Sequence, residues 1–189
     1  MKKEHRVGIR INGEKLVLLD FRNMFARLAY ALVDATPPEG DLYDLTGDLP
    51  GFNKAKHRAV TKEAFSALFF SSGQRWPARG PKGDPETPTF RHLMPRRASY
   101  PAFVQPVLKK HPALRKLLGN RQLGFTLMYH ESEIMMRSLE LLLDQDIVAL
   151  GLHDGLLVAA SNESQACRAM MEVSKEVVGV SLPFDRHPL

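Results

Sequence analysis

The sequence predicts an α+β fold, in which two β-hairpins share one antiparallel sheet and helices cover one of its faces. Runs of β-forming residues joined by short turns occur near both ends of the chain, which indicates the two hairpins. Longer segments between and after them repeat their apolar residues at helical spacing. The length of 189 residues fits one domain, or one domain with a large insertion.

The first hairpin is predicted close to the N-terminus. Residues 7–11 and 15–20 are predicted strands, and the letters "NGE" between them suit a tight turn. The second of these strands ends on Asp20, and residues 22–35 then place apolar side chains at the spacing of an amphipathic helix. The proline- and glycine-containing residues 36–41 are predicted to end that helix.

The middle of the chain predicts a mostly helical segment. A helix from residue 57 to about residue 70 places Arg58 and Lys62 one turn apart on the same face. Residues 72–90 are rich in glycine and proline and are predicted to form a flexible loop. Residues 100–120 are predicted to form short helices that break at proline.

The last third of the chain predicts a helix, a hairpin and a final helix. The first helix covers residues 127–143, and Met128, Met135, Leu139 and Leu142 are expected on its buried face. Residues 146–152 and 156–161 are predicted strands, with "HDG" as the turn between them. The final helix is expected over residues 162–178.

We predict that residues 1–50 and 126–189 bear the sheet and that residues 51–125 form a basic helical insertion between them. No Asp or Glu occurs from residue 87 to residue 130. The same interval contains eight basic residues: Arg91, Arg96, Arg97, Lys109, Lys110, Arg115, Lys116 and Arg121. Such an interval is typical either of a solvated basic face or of a surface that binds a polyanion, most simply nucleic acid.

Cysteine usage and hydropathy indicate the compartment. The single cysteine, Cys167, excludes an internal disulfide framework and a four-cysteine zinc site, and it favours a reducing environment. No basic-then-apolar leader opens the chain, and no apolar run reaches about 18 residues. We therefore expect a cytoplasmic protein that does not cross a membrane.

Two carboxylates are predicted to meet in the sheet. Asp20 ends one strand and Asp154 lies at a hairpin tip, so neighbouring strands could bring them within a few Å of each other. Carboxylates that close repel unless they are protonated or bridged by cations. Oxygen ligands suit Mg²⁺, and two such ions stabilise the attacking and leaving oxygens in phosphoryl transfer. Arg58 and Lys62 could hold the negative charge of a triphosphate.

Three motifs in this order resemble the family A DNA polymerases and their relatives, the single-subunit RNA polymerases. The first is the strand-terminal aspartate and helix of "LDFRNMFARLAYAL", which begins at Leu19, and "GDLYDLTG" resembles the segment that follows. The second is an arginine, a lysine four residues on and an aromatic residue eight after that, here Arg58, Lys62 and Phe70. The third is the His153-Asp154 pair at a hairpin turn, and the likeness covers about residues 15–178.

The resemblance implies a polymerase palm with an inserted fingers region. Asp20, Asp154 and the backbone carbonyl of Phe21 would bind two Mg²⁺ ions, which Mn²⁺ could replace, for nucleotidyl transfer on a DNA primer–template with dNTPs. Arg58 and Lys62 would touch the incoming triphosphate, and Phe70 would pack near its base and sugar. The helix before the third motif would lie against the primer–template minor groove. With the basic interval, this predicts nucleic-acid contacts at Arg27, His130, His153, Arg96, Arg97, Lys109, Lys110 and Arg121.

The sequence departs from that family at several positions. Gly155 stands where the third motif usually continues with Glu, and Phe25 stands where the DNA polymerases carry a Glu that crowds the sugar 2′ position. A bulky Phe25 could still exclude a 2′-hydroxyl, which favours deoxynucleotides. Phe70 and Ser71 replace the usual Tyr and Gly. A Gln of the minor-groove helix is absent, and its neighbourhood holds Tyr129, His130 and Glu131.

Size is the largest departure, because the chain provides neither the exonuclease domain nor the thumb of that family. We therefore expect low processivity, a thumb supplied by a partner, self-association, or a chain that is a catalytic fragment of something longer. One alternative is a catalytically inactive relative that binds nucleic acid through its basic insertion. Another is a metal phosphohydrolase of the His-Asp class, although those enzymes carry the pair on a helix whereas β-rich runs flank it here.

Overall fold

The computed structural model describes residues 8–71, 75–77, 81 and 88–189, and these form an α+β protein with a four-stranded antiparallel sheet. This confirms the predicted fold class. The predicted flexible loop at residues 72–90 lies largely outside the described residues. In chain order the elements are β1 (Leu16–Phe21), α1 (Met24–Ala31), α2 (Lys54–Phe69), α3 (Phe90–Leu93), α4 (Tyr100–Lys110), α5 (Leu123–Leu143), β2 (Ala149–Leu152), β3 (Gly155–Ala159), α6 (Glu163–Val178) and β4 (Phe184–Pro188).

The chain divides into two compact units. Unit 1 comprises Met1–Ala31 and Leu127–Leu189 and holds the whole sheet, whereas unit 2 comprises Leu32–Thr126. In unit 2, the buried rings of Phe65 and Phe69 on α2 and Phe103 on α4 form part of an aromatic core.

The sheet of unit 1 has the strand order β2-β3-β1-β4, and every neighbouring pair is antiparallel. Strand β1 pairs directly with β3, from Leu16 opposite Ala159 to Asp20 opposite Gly155. The predicted strand at residues 7–11 is wrong for its described part, where Ile11 forms only an isolated bridge to Glu14. The physical reason is that β3 and β4 already occupy both hydrogen-bonding edges of β1.

Helix α5 packs against one of the two faces of this sheet, and Asp20 lies on the other. Because side chains alternate along a strand, Leu18 and Asp20 share one face of β1, whereas Leu19 lies on the other. A methyl group placed on Gly151, which lies on the Leu19 face, would be 3.3 Å from Leu139 of α5. Helix α5 therefore covers the face opposite Asp20.

Helix α5 begins at Leu123, four residues before its predicted start, and its buried side is narrower than expected. Met135 and Leu142 are buried as predicted. Met128 is 47% exposed, so its predicted burial is wrong. At this end of the helix Leu123 and Leu127 are the buried apolar residues, and Met128 lies on the other side with the exposed Phe125 and Tyr129.

Candidate functional site

The turn between β2 and β3 holds the His-Asp pair. His153 and Asp154 form a two-residue loop, because Leu152 pairs with Gly155 across it. His153 is exposed and has a φ of 51°, the left-handed region that tight hairpin turns use. The carbonyl of Asp154 accepts a hydrogen bond from the Phe21 N–H at 2.9 Å. That bond fixes the turn against the end of β1.

Asp20 lies directly opposite Gly155 in the β1–β3 pair, so it is a neighbour of the turn that carries Asp154. Both aspartates are half-buried. A Cβ atom on Gly155 would lie 2.6 Å from the Leu19 carbonyl oxygen and 3.2 Å from Asp20 Oδ1. The glycine therefore allows the close approach of the two strands and leaves space beside the Asp20 carboxylate.

This space and its donors fit a hard cation. Asp20 and Asp154 offer carboxylate oxygens, the ligands that Mg²⁺ prefers, and Mg²⁺ usually keeps several waters and takes phosphate oxygens as further ligands. Among the described residues, no group of three or more His, Cys, Asp or Glu side chains could hold a metal ion. An ion here would therefore depend on water, backbone carbonyls or substrate for its remaining ligands. The predicted carbonyl ligand, Phe21, is the residue next to Asp20 in β1.

Glu131 of α5 is a further acidic group, close enough to Asp154 to be affected by its charge. Burial, followed by the negative charge of Asp154, raises the pKa of Glu131 to about 7. Next to it, Nδ1 of His130 is buried and has no hydrogen-bond partner among the described residues. In the sequence, Glu131 is notable only because it lies near the position of the absent minor-groove glutamine. Nothing in the sequence indicates that α5 brings it near Asp154.

We expect Glu131→Gln to change how stability depends on pH. A raised folded-state pKa stabilises the fold at pH values below the ordinary carboxyl pKa, and this contribution is lost as pH rises through about 7. Since Glu131 is only half-buried, the loss is on the order of 1–2 kcal/mol. Urea unfolding in EDTA should show wild type losing this much relative to Glu131→Gln between pH 5 and pH 8. If the free energy of unfolding of the two proteins depended on pH in the same way, this expectation would be contradicted.

A second acidic side chain was missed for a different reason. Asp185 of β4 lies opposite Asp20, on the same face of the sheet, and its Oδ1 accepts a hydrogen bond from Arg22 Nε at 2.9 Å. Like charges directly opposite each other in a sheet are destabilising, and the Arg22 guanidinium offsets this repulsion. Strand β4, "FDRHP", was not predicted because it is polar and ends in proline, as edge strands often do.

Helix α1 follows the Asp20 strand closely and carries two further predicted residues. Phe25 and Arg27 are both half-buried in its first turns. They lie five and seven residues after Asp20 in the chain, since 25 minus 20 is 5 and 27 minus 20 is 7. Both therefore belong to the same unit as the two aspartates.

Arg58 lies on α2 in unit 2, where it forms an ion pair that the sequence did not predict. Its Nε is 2.5 Å from Asp41 Oδ2, and its guanidinium carbon is 5.7 Å from the centre of the Tyr43 ring. Burial opposes ionisation of Asp41, but hydrogen bonds from Arg58 and from the Tyr43 N–H outweigh it, so the pKa of Asp41 is lowered. Lys54 adds a third contact, with its Nζ 3.4 Å from Asp41 Oδ2. Asp41 therefore fixes one edge of the Arg58 guanidinium.

The other two residues of this predicted set lie on the same helix or just after it. Lys62 is exposed and forms no ion pair within the part of the chain that the structure describes. Phe70 follows the last residue of α2 and is 49% exposed. A Cβ atom on Gly124 would lie 2.3 Å from the Phe70 ring, so the ring packs closely against this glycine.

The remaining predicted nucleic-acid contacts divide into exposed and engaged side chains. Arg96, Arg97 and Arg121 are exposed. Lys109 is also exposed but lies 2.7 Å from Asp48 Oδ1. The ammonium group of Lys110 donates hydrogen bonds to the carbonyls of Asp41 and Asp44, each at 2.6 Å, which ties α4 to the segment before α2. Lys110 therefore contributes to the fold of unit 2.

We expect Asp41→Asn to weaken nucleotide binding if Arg58 contacts a triphosphate. The carboxylate holds Nε and leaves both Nη groups for phosphate oxygens, so its loss frees the guanidinium to adopt other rotamers. The KM for dNTP should rise about three- to tenfold while kcat changes less than about twofold. Asp48→Asn, which removes the partner of the exposed Lys109, is the matched control. A lower KM would instead show that Asp41 competes with phosphate for Arg58.

These residues define an α+β protein in which Asp20 lies beside the turn of Asp154 in unit 1 and Arg58 on helix α2 of unit 2 pairs with Asp41. No protein-family model matches the chain, and no curated protein matches it significantly. Within the described ranges, the helices fall short of the length and hydropathy needed to cross a bilayer.

Proposed function

We propose that the chain is a template-directed nucleotidyltransferase of the DNA-polymerase kind, acting in the cytoplasm on a DNA primer–template with dNTPs. The observation that carries this proposal is the position of Asp20, which pairs with Gly155 and so lies beside the turn that carries Asp154, 134 residues later in the sequence (154 minus 20). Carboxylate side chains on neighbouring strand ends are the kind of oxygen ligands that Mg²⁺ takes in phosphoryl transfer.

In this proposal unit 1 acts as a palm and unit 2 as a basic fingers region. Asp20 and Asp154, with the Phe21 carbonyl, would hold Mg²⁺, which when bound neutralises charge on the attacking and leaving oxygens. Arg58 and Lys62 bind the triphosphate, as opposite charge and donor geometry allow. Phe70 contacts the base and sugar, and Phe25 excludes a 2′-hydroxyl. A thumb would come from a partner or from self-association.

The test is extension of a labelled primer on a DNA template with dNTPs and Mg²⁺, repeated with Mn²⁺. Template-dependent addition supports the proposal, and it should disappear in EDTA. Wild-type protein that stays folded and binds DNA yet adds no nucleotide under either metal would overturn it.

A catalytically inactive, nucleic-acid-binding relative is the second candidate, and Gly155 favours it. The close contact of this glycine with the Leu19 carbonyl leaves no room for the side chain of a further carboxylate there. Such a protein would bind DNA in a salt-sensitive way without any incorporation. A metal phosphohydrolase of the His-Asp class is not favoured, because those enzymes carry the pair on a helix and here it lies in the hairpin turn between β2 and β3.

A further inference from the structure

Unit 2 contains a cavity of about 400 Å³ that the proposed function does not use. It is lined in part by Arg75, Trp76, Thr89, Arg91 and Tyr100. Its volume lies within the range of about 300–1,000 Å³ that is usual for small-ligand sites. No carboxylate is among its described lining residues.

The Trp76 ring in this cavity is held by its neighbours. Its Nε1–H donates a hydrogen bond to the Ala98 carbonyl at 3.0 Å. The ring stacks on Phe90 with 5.6 Å between centroids and 24° between planes, and it meets the edge of Tyr100 at 84°. Phe103 packs against it at 5.1 Å. The indole is therefore already oriented before a ligand binds, so binding costs little side-chain conformational entropy at Trp76.

The charge at the rim of the cavity is positive. Arg75 and Arg91 are both exposed, and neither pairs with a carboxylate among the residues that the structure describes. Arg91 also lies within the acid-free part of the sequence, which extends from residue 87 to residue 130 without an Asp or Glu. The electrostatic field at this rim therefore favours an anion over a neutral aromatic ligand.

The ligand must combine a flat ring with nearby negative charge, which is the chemistry of a nucleotide. Duplex DNA keeps its bases stacked and paired, so only an unpaired base can reach an aromatic wall. We propose that this cavity binds one unpaired nucleotide of single-stranded nucleic acid, with the base against Trp76 and Tyr100 and the adjacent phosphates on Arg75 and Arg91. The inference rests on unit 2 alone and does not require nucleotidyl transfer.

Trp76 is the only tryptophan of the chain, so intrinsic tryptophan fluorescence reports directly on this cavity. We expect a short oligothymidylate, titrated into the full-length protein in EDTA, to quench the emission saturably, with a Kd that rises with salt. Arg91→Ala and Tyr100→Ala should each weaken binding about tenfold, because each removes one type of contact. Tyr100→Phe keeps the ring and should bind as wild type does.

Arg115→Ala is the matched control, since Arg115 is an exposed arginine in the same acid-free interval but does not line the cavity. Equal losses for Arg91→Ala and Arg115→Ala would overturn the proposal and place binding on the general basic surface. So would equal quenching by blunt duplex or by pyrophosphate, or binding without any change in emission. Persistent quenching in a protein that fails primer extension would leave this site standing while rejecting the proposed function.

Discussion

Asp20→Asn and Asp154→Asn should each lower nucleotide incorporation by about 10³-fold or more. Each substitution replaces a charged oxygen by a neutral amide of nearly the same shape, so it removes the charge proposed to hold Mg²⁺ while preserving the packing. The loss should appear mainly in kcat, because the triphosphate contacts proposed for Arg58 and Lys62 are left in place. Single-turnover primer extension, with each variant at saturating dNTP, measures the effect.

The stability of the Asp20→Asn and Asp154→Asn variants to urea is an independent measurement on the same site. Asparagine keeps nearly the same shape and a carbonyl oxygen that accepts hydrogen bonds, so the pairing of Asp20 with Gly155 and the backbone bond of the Asp154 turn to Phe21 should remain. The urea midpoint without metal should therefore stay close to that of the wild type. Asp144→Asn, an exposed aspartate in the loop between α5 and β2, is the matched control and should extend primers normally. Near-normal activity in either site variant would show that the two-metal assignment is wrong.

Local sequence patterns were sufficient for much of the fold and for the position of Asp20 beside the Asp154 turn. The β2–β3 hairpin followed from alternating β-forming runs around a short polar turn, and α1, α2, α5 and α6 followed from helical periodicity. The meeting of Asp20 with the Asp154 turn could be anticipated because a strand end and a hairpin tip commonly meet when strands are neighbours. Whether β1 would lie beside β3 was a choice of sheet order that no local pattern determines.

Features that depend on distant parts of the chain could not be predicted. Strand β4 has few apolar residues, and β1 supplies its strand partner. The Arg58–Asp41 pair joins a helix to a loop 17 residues earlier, and helical periodicity gives the face of Arg58 but not its partner. The environment of Glu131 could not be predicted for the same reason, because its raised pKa arises from burial and from Asp154 in another part of the chain.

Gly155→Ala should destabilise the protein by about 1–3 kcal/mol. The new Cβ would lie 2.6 Å from the Leu19 carbonyl oxygen, which is backbone and cannot turn aside, so β1 and β3 must separate. Gly151→Ala is a matched control in the same hairpin, because its nearest neighbour is the end of the flexible Leu139 side chain at 3.3 Å. That variant should lose less than about 1 kcal/mol. Urea unfolding of the three proteins in EDTA measures the difference.

The Gly155→Glu variant tests whether residue 155 is glycine because of strand packing or because a catalytic carboxylate has been lost. If the chain merely lacked a useful third carboxylate, adding one should raise incorporation in Mg²⁺. The contact with Leu19 argues the opposite, since a side chain there displaces the strand that carries Asp20 and disturbs the spacing of the two aspartates. We therefore expect Gly155→Glu to lose both stability and activity. A stable variant with raised activity would mean that the strands tolerate separation and that the glycine reflects lost function rather than the packing of this sheet.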